Sequence, residues 1–237
     1  MKELFMFNIS NIQLDEFTYN SLLNFISEEK RKRIERFRRY EDKLRSLFGE
    51  VLAKNELSKK LQCKIEDIEF EKNEYGKLKL KGKDNLYFNI SHSGDYVVVG
   101  ISDIEIGVDI EIYKDAKHEI IDLAKRYYTK EEYKWILSFD ENYRIEAFYI
   151  LWTLKESYIK FEGKGLSISL SSFSFTLNNK NIYLKKDNNI DNDISFKNYD
   201  IDNKYKMSIC YTEKEQGNEI SIKHITLEQL KDDLKIK

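Results

Sequence analysis

The sequence predicts an α+β fold built as two successive halves, and three observations predict it. The helical spacing of apolar residues between Leu14 and Leu61 gives way to short alternating strand-like runs up to Ile112. The same change from helical to strand-like patterning recurs after residue 117. At 237 residues, the chain is also long for one compact unit and comfortable for two. A boundary near residue 104 follows, with halves 1–104 and 105–237, although no internal sequence repeat is visible.

In order, residues 2–9 read as an opening strand. From Leu14 to about Leu61 the pattern is helical, and Leu44, Leu47, Phe48, Val51 and Leu52 form an apolar stripe. Ile68–Lys72 and Leu78–Leu80 are short strands around the Tyr75-Gly76-Lys77 turn. Leu86–Ser91 and Tyr96–Ser102 form a hairpin turning at Ser93-Gly94-Asp95. Ile104–Ile112 is a further strand. Helices are predicted over 117–127, 130–138 and 142–162, the second opened by a capping box, Thr129 with Glu132. Strands follow at Phe173–Leu177, Ile182–Leu184 and Lys206–Tyr211, and a last helix starts at Leu227. Residues 178–204, rich in Asn, Asp and Lys, read as loops and edge strands.

Composition excludes several classes. A net charge of −2 with 35% charged residues is unlike a general nucleic-acid binder, which shows a basic excess. No apolar run reaches the roughly 20 residues of a membrane span. The N-terminal apolar run is too short for a signal peptide. Cys63 and Cys210 are the two cysteines, too few and too distant for a disulfide framework or a zinc cluster, so a reduced, cytoplasmic setting is expected. Proline is absent altogether, so turns must use Gly, Asn and Asp.

Two acidic segments stand out. In Gly107-Val108-Asp109-Ile110-Glu111, the strand period of two puts Asp109 and Glu111 on one face. Paired carboxylates are either a solvated polar face or a seat for a hard cation such as Mg²⁺. In Trp152-Thr153-Leu154-Lys155-Glu156-Ser157-Tyr158-Ile159-Lys160, the helical spacing aligns Trp152, Glu156 and Lys160. Glu156 and Lys160 are either a helix-stabilising pair or a third carboxylate with a phosphate-reaching cation.

Two anion-binding segments accompany them. Residues 30–45 hold nine basic residues against three acids, a local charge of +6 on a near-neutral chain. Asn89-Ile90-Ser91-His92-Ser93-Gly94 runs from a strand into a turn. Its hydroxyls, imidazole and backbone N–H groups suit either a phosphate or a self-capped turn.

Taken together and in order, Phe88-Asn89-Ile90-Ser91-His92-Ser93, Gly107-Val108-Asp109-Ile110-Glu111 and Trp152 through Lys160 resemble the 4'-phosphopantetheinyl transferases. The length resembles the surfactin-synthetase-activating type. The resemblance extends to Phe25-Ile26-Ser27-Glu28-Glu29-Lys30-Arg31, Tyr75-Gly76-Lys77, Glu162-Gly163-Lys164-Gly165-Leu166 and Tyr205-Lys206-Met207. It implies two similar α+β subdomains forming a pseudo-dimer, with the substrate held in a cleft between the halves. It implies Mg²⁺-dependent transfer of 4'-phosphopantetheine from coenzyme A to a serine of an apo acyl- or peptidyl-carrier protein. Asp109, Glu111 and Glu156 are implied metal ligands, and Glu156 and Lys160 catalytic residues. Lys160 is implied to contact the pyrophosphate. Lys30, Arg33, Ser46 and His92 are implied to hold the 3'-phosphate end, and Lys77 and Ser91 the adenine and phosphate pocket. Leu78 stands where the family usually has proline, and Arg33 and Ser46 stand where it often has Lys and Thr. A monomer is implied. A Mg²⁺-dependent phosphodiesterase and a non-catalytic coenzyme A- or carrier-binding module are the competing readings.

Overall fold

The computed structural model describes residues 1–114, 117–178, 181–187, 189–212 and 219–237. Its contacts divide the chain into two units. The first comprises residues 1–71, 78–103 and 219–237, and the second residues 72–77 and 104–218.

In the first unit, β1 (Lys2–Asn8) is followed by α1 (Glu16–Leu23), α2 (Glu28–Glu35) and the 22-residue α3 (Tyr40–Leu61). Side-chain caps set the first two helix starts. Asp15 accepts from the Thr18 amide, and Ser27 from that of Lys30. A 3₁₀ turn (Ile65–Asp67) leads to β2 (Phe70–Lys72) and β3 (Leu78–Leu80), which pair with each other. Then β4 (Tyr87–Ser93) and β5 (Tyr96–Ser102) form the predicted hairpin, with Gly94 at φ 53° in its turn.

The second unit opens with β6 (Ile106–Ile112), then α4 (Lys117–Tyr127), α5 (Lys130–Leu137) and the 22-residue α6 (Glu141–Glu162). Strands β7 (Phe173–Asn178), β8 (Asn181–Lys186) and β9 (Asn189–Asp191) make an antiparallel sheet. Strands β10 (Ile194–Ile201) and β11 (Tyr205–Thr212) join β6 in the order β10-β11-β6. The region read as loops and edge strands therefore supplies the edges β9 and β10.

The chain ends with β12 (Ile220–Ile225) and α7 (Leu227–Leu234), opened by a Thr226–Gln229 capping box. Here the structure differs from the boundary drawn on the sequence. Residues 219–237 pack with the first unit, because β12 pairs with β1 in the sheet β12-β1-β5-β4. That pairing is parallel, whereas β1–β5 and β4–β5 in the same sheet are antiparallel. A strand partner more than 200 residues away leaves no local sequence signal.

Each unit buries its own core. In the first, Leu44, Leu47, Phe48, Val51 and Leu52 of α3 are buried as the stripe predicts, and the Phe48 ring stacks on Phe7 at 4.3 Å. Aromatic pairs of this kind add to the burial of their area. In the second, Leu151, Leu154, Tyr158 and Ile159 of α6 pack with Phe173, Phe175 and Phe196. No helix among the described residues is long and apolar enough to cross a membrane.

Candidate active site

The second unit brings its predicted acidic residues together through one close backbone approach. Gly107 lies two residues before Asp109 on β6, so both face α6, as does Glu111. A Cβ at Gly107 would stand 2.0 Å from the Ser157 carbonyl oxygen and 2.5 Å from the Phe161 nitrogen. Only glycine allows strand and helix to touch there. The strand carboxylates are thereby laid against the helix turn that carries Glu156 and Lys160.

The electrostatics follow from that contact. Asp109 is 3% exposed, and its Oδ1 accepts from Lys160 Nζ at 2.6 Å. Burial pushes the Glu156 carboxyl up to about 7. The charges of Asp109 and Glu111 push the same way, and Lys160 opposes them. The three carboxylates are thus close enough to repel. Among the described residues, no three His, Cys, Asp or Glu side chains converge tightly enough to form a finished metal cluster. The resemblance implies such a set. The donors nevertheless fit a hard cation: Mg²⁺ takes one or two carboxylates and fills its remaining positions with water and phosphate oxygens. The Lys160 ammonium supplies part of the neutralising charge.

A buried polar layer supports the same face. Thr153 Oγ1 and Ser208 Oγ lie 2.8 Å apart, and Asn198 Nδ2 donates to Ser208 Oγ at 2.8 Å. Ser208 is directly opposite Asp109 across β6 and β11. One residue from Glu156, Lys155 is fully buried. Its Nζ meets Glu132 at 3.0 Å and donates to the carbonyls of Leu170 (2.7 Å) and Phe173 (2.8 Å). Glu132 accepts in turn from the Phe175 amide at 2.9 Å and from Thr129 through the predicted capping box. This network ties α6 to α5 and β7. Sequence reasoning missed it, although a lysine on a buried helix next to an acid is a signal that some partner must exist.

The first unit holds the predicted anion-binding residues. Lys30 and Arg33 are on α2, Ser46 is buried on α3, and Ser91 is buried on β4 beside the exposed His92. Arg45, the neighbour of Ser46, donates to the carbonyl of Gly94 and pairs with Asp42. The start of α3 and the turn two residues beyond His92 therefore belong to one surface.

The Lys77 ammonium pairs with Glu105 and donates to the Phe161 carbonyl at 2.9 Å, with only 9% of the side chain exposed. The reason is local: Asn73 folds the turn so that Lys77 points at the end of α6.

Carboxylates at a helix–strand contact, with a lysine ammonium at their edge, suit a group that must hold a cation and a phosphate oxygen. In kind this is phosphoryl-transfer chemistry. Comparison with known proteins makes the class specific. The 4'-phosphopantetheinyl transferase superfamily model matches residues 105–210, and the model for the N-terminal part of 4'-phosphopantetheinyl transferases matches residues 13–103. The chain is 40% identical to the 4'-phosphopantetheinyl transferase Sfp of Bacillus subtilis (strain 168) over 79% of its length and 83% of that protein's. It is 36% identical to the 4'-phosphopantetheinyl transferase gsp of Aneurinibacillus migulanus, over 79% of the chain and 77% of that protein. It is 31% identical to the mouse L-aminoadipate-semialdehyde dehydrogenase-phosphopantetheinyl transferase, over 66% of the chain and 54% of that protein. The chain belongs to the 4'-phosphopantetheinyl transferase family, and its activity is the transfer of 4'-phosphopantetheine to carrier proteins.

Proposed function

We propose that the donor is coenzyme A, that the acceptor is a serine of an apo acyl- or peptidyl-carrier protein, and that the reaction requires Mg²⁺. The observation that carries this reading is the placement of Asp109, Glu111, Glu156 and Lys160 at the β6–α6 contact, where Glu156 is raised to about 7 by burial and like charge.

The carrier hydroxyl attacks the phosphorus on the pantetheine side of the pyrophosphate. A P–O bond to serine forms, the bridging P–O bond breaks, and 3',5'-adenosine bisphosphate leaves with that electron pair. Bound at Asp109, Glu111 and Glu156, Mg²⁺ would neutralise charge on the pyrophosphate oxygens. Lys160 steadies the departing oxygen. The serine proton would pass to Glu156 or to a metal-bound water, the water route being favoured where the cation lowers the proton affinity of a bound carboxylate. In the first unit, Lys30, Arg33, Ser46, Ser91 and His92 supply positive charge and donors for the 3'-phosphate and adenine end. Arg33 offers its phosphate a planar fork. The enzyme works as a monomer in the cytoplasm.

The test is to incubate the purified protein with coenzyme A, Mg²⁺ and an apo carrier and weigh the intact carrier. A gain of one phosphopantetheine, lost with EDTA and lost in a carrier without its acceptor serine, is the expected result. Transfer that persists unchanged in EDTA would remove the metal from the reading. Hydrolysis of coenzyme A with no carrier modified would favour a phosphodiesterase.

A further inference from the structure

The turn between β2 and β3 reaches the C-terminal end of α6 with two side chains. Lys77 Nζ donates to the Phe161 carbonyl at 2.9 Å and pairs with Glu105. Asn73 Nδ2 donates to the Gly163 carbonyl at 2.7 Å. The last carbonyls of a helix have no partner within it, and they carry the negative end of its dipole. An ammonium and an amide are suited to both needs.

Asn73 also builds the turn it sits in. Its Oδ1 accepts from the amides of Tyr75 at 3.0 Å and Lys77 at 2.9 Å, and its own amide donates to the Lys77 carbonyl at 2.9 Å. Gly76, at φ 90°, closes the bend. Gly163 completes the fit from the helix side. A Cβ there would lie 2.7 Å from Lys77 Cδ and 3.3 Å from Asn73 Nδ2. Phe161, the residue Lys77 grips, follows Lys160 directly, and Lys160 is held to Asp109 at 2.6 Å.

We propose that the Asn73–Lys77 turn is a positioning clamp for phosphopantetheine transfer, holding the last turn of α6 so that Lys160 and Glu156 stay against Asp109 and Glu111. The Lys77 side chain acts through the helix end that carries Lys160. This rests on the reading that Glu156 and Lys160 serve the reaction.

The experiment compares Lys77→Met, Asn73→Ala and Lys77→Arg by steady-state kinetics in coenzyme A, with amide hydrogen exchange followed in peptides spanning 156–165. Lys77→Met and Asn73→Ala are expected to lower kcat by about 10- to 100-fold, the usual cost of a misplaced reacting group, while KM for coenzyme A stays within about twofold. Exchange in the last turn of α6 speeds up in both. Lys77→Arg recovers most of the lost kcat, since a guanidinium still donates to Phe161 and Glu105. Should Lys77→Met not fold, Lys77→Gln carries the same comparison. A raised KM for coenzyme A with kcat preserved would overturn the proposal and make Lys77 a substrate contact. Unchanged kcat with unchanged exchange would overturn it as well. Near-normal turnover in Lys160→Ala would overturn the reading of the site beneath it, whatever the turn variants do.

Discussion

Helices α3 and α6 are the same length, 22 residues, and each lies on the sheet of its own unit. They differ in what they put at that contact. On α3 it is an apolar stripe, with Leu47, Phe48 and Val51 fully buried. At its one glycine the neighbour is a side chain and farther away: a Cβ at Gly49 would meet Ile90 Cγ2 at 3.2 Å. On α6 the contact is backbone against backbone at Gly107, and the side chains around it are Thr153, Glu156, Ser157 and Lys160. Their exits differ too. α3 ends at Gln62, whose own amide closes the helix onto Ser58 and Lys59 carbonyls. α6 ends at Gly163, whose carbonyl accepts from Asn73, while Lys77 donates to the carbonyl of Phe161. The first helix stabilises, and the second spends part of its packing surface on charges that repel. Such a face persists only where other contacts hold it. Here these are the Lys155–Glu132 pair, the Thr153–Ser208–Asn198 layer and the clamped end.

The comparison can be broken most severely at the carboxylates. Asp109→Ala or Glu156→Ala is expected to cut transfer by roughly 10³-fold or more, read from intact carrier mass, because electrostatic stabilisation of this kind is the largest catalytic contribution. Near-normal turnover in both would show that the charged face of α6 serves something else.

The two glycines give a sharper contrast. Gly107→Ala must push strand and helix apart, costing about 1–3 kcal/mol of stability and about 10²-fold in kcat. Gly49→Ala should shift stability by less than about 1 kcal/mol, since alanine's helix preference offsets the tight methyl contact, and leave kcat unchanged. Thermal melting with parallel kinetics checks both. Equal effects at the two positions would erase the distinction between the helices.

A tenfold effect is expected at His92. The variant His92→Ala should raise KM for coenzyme A by about tenfold, the worth of one charged hydrogen bond, and leave dephospho-coenzyme A nearly unaffected. Equal changes with both substrates would make His92 a turn residue.

The smallest effect is on stability against pH. The Glu156 carboxyl sits near 7 in the folded chain, against about 4.5 when unfolded. Below pH 4.5 both states are protonated and the group costs nothing. Between about pH 4.5 and 7 the unfolded chain ionises while the folded one stays protonated, so stability falls across that window and levels off above it. Glu156→Gln should therefore melt with the parent at pH 4.5, melt higher at pH 8 in EDTA, and lack the stabilisation that Mg²⁺ gives the parent. A parent that outlasts the variant at pH 8 in EDTA would contradict the repulsion. Stability is given up for function at this single side chain.

Much of this was legible in the residues. The periods of Leu44–Leu52 and of Val108–Ile112, the Thr129–Glu132 box and the Ser93-Gly94-Asp95 turn are local signals, and the elements form where those signals place them. The pairing of Asp109 with Glu111 on one strand face was legible for the same reason. Strand β12 was not read, although Ile220-Ser221-Ile222 alternates, because six residues without a visible partner are a weak signal. Glu132 was read as a helix cap and Lys155 was passed over. Their partnership needs α5, α6 and β7 to be brought together first. The contact of Lys77 with the end of α6 was not legible either, since the two lie 84 residues apart.

By itself, then, the sequence determined which segments are helix or strand, where caps and turns fall, which acids share a face, and the family. Those are consequences of backbone period, side-chain capping and motif order, all short-range along the chain. Tertiary structure alone decided that β12 returns to β1, that Gly107 is a point of backbone contact, that Glu156 is held near neutrality, and that Lys77 serves a helix end. Each of these depends on burial and on distances between residues far apart in sequence, and the free energies of burial and charge take their size from that proximity.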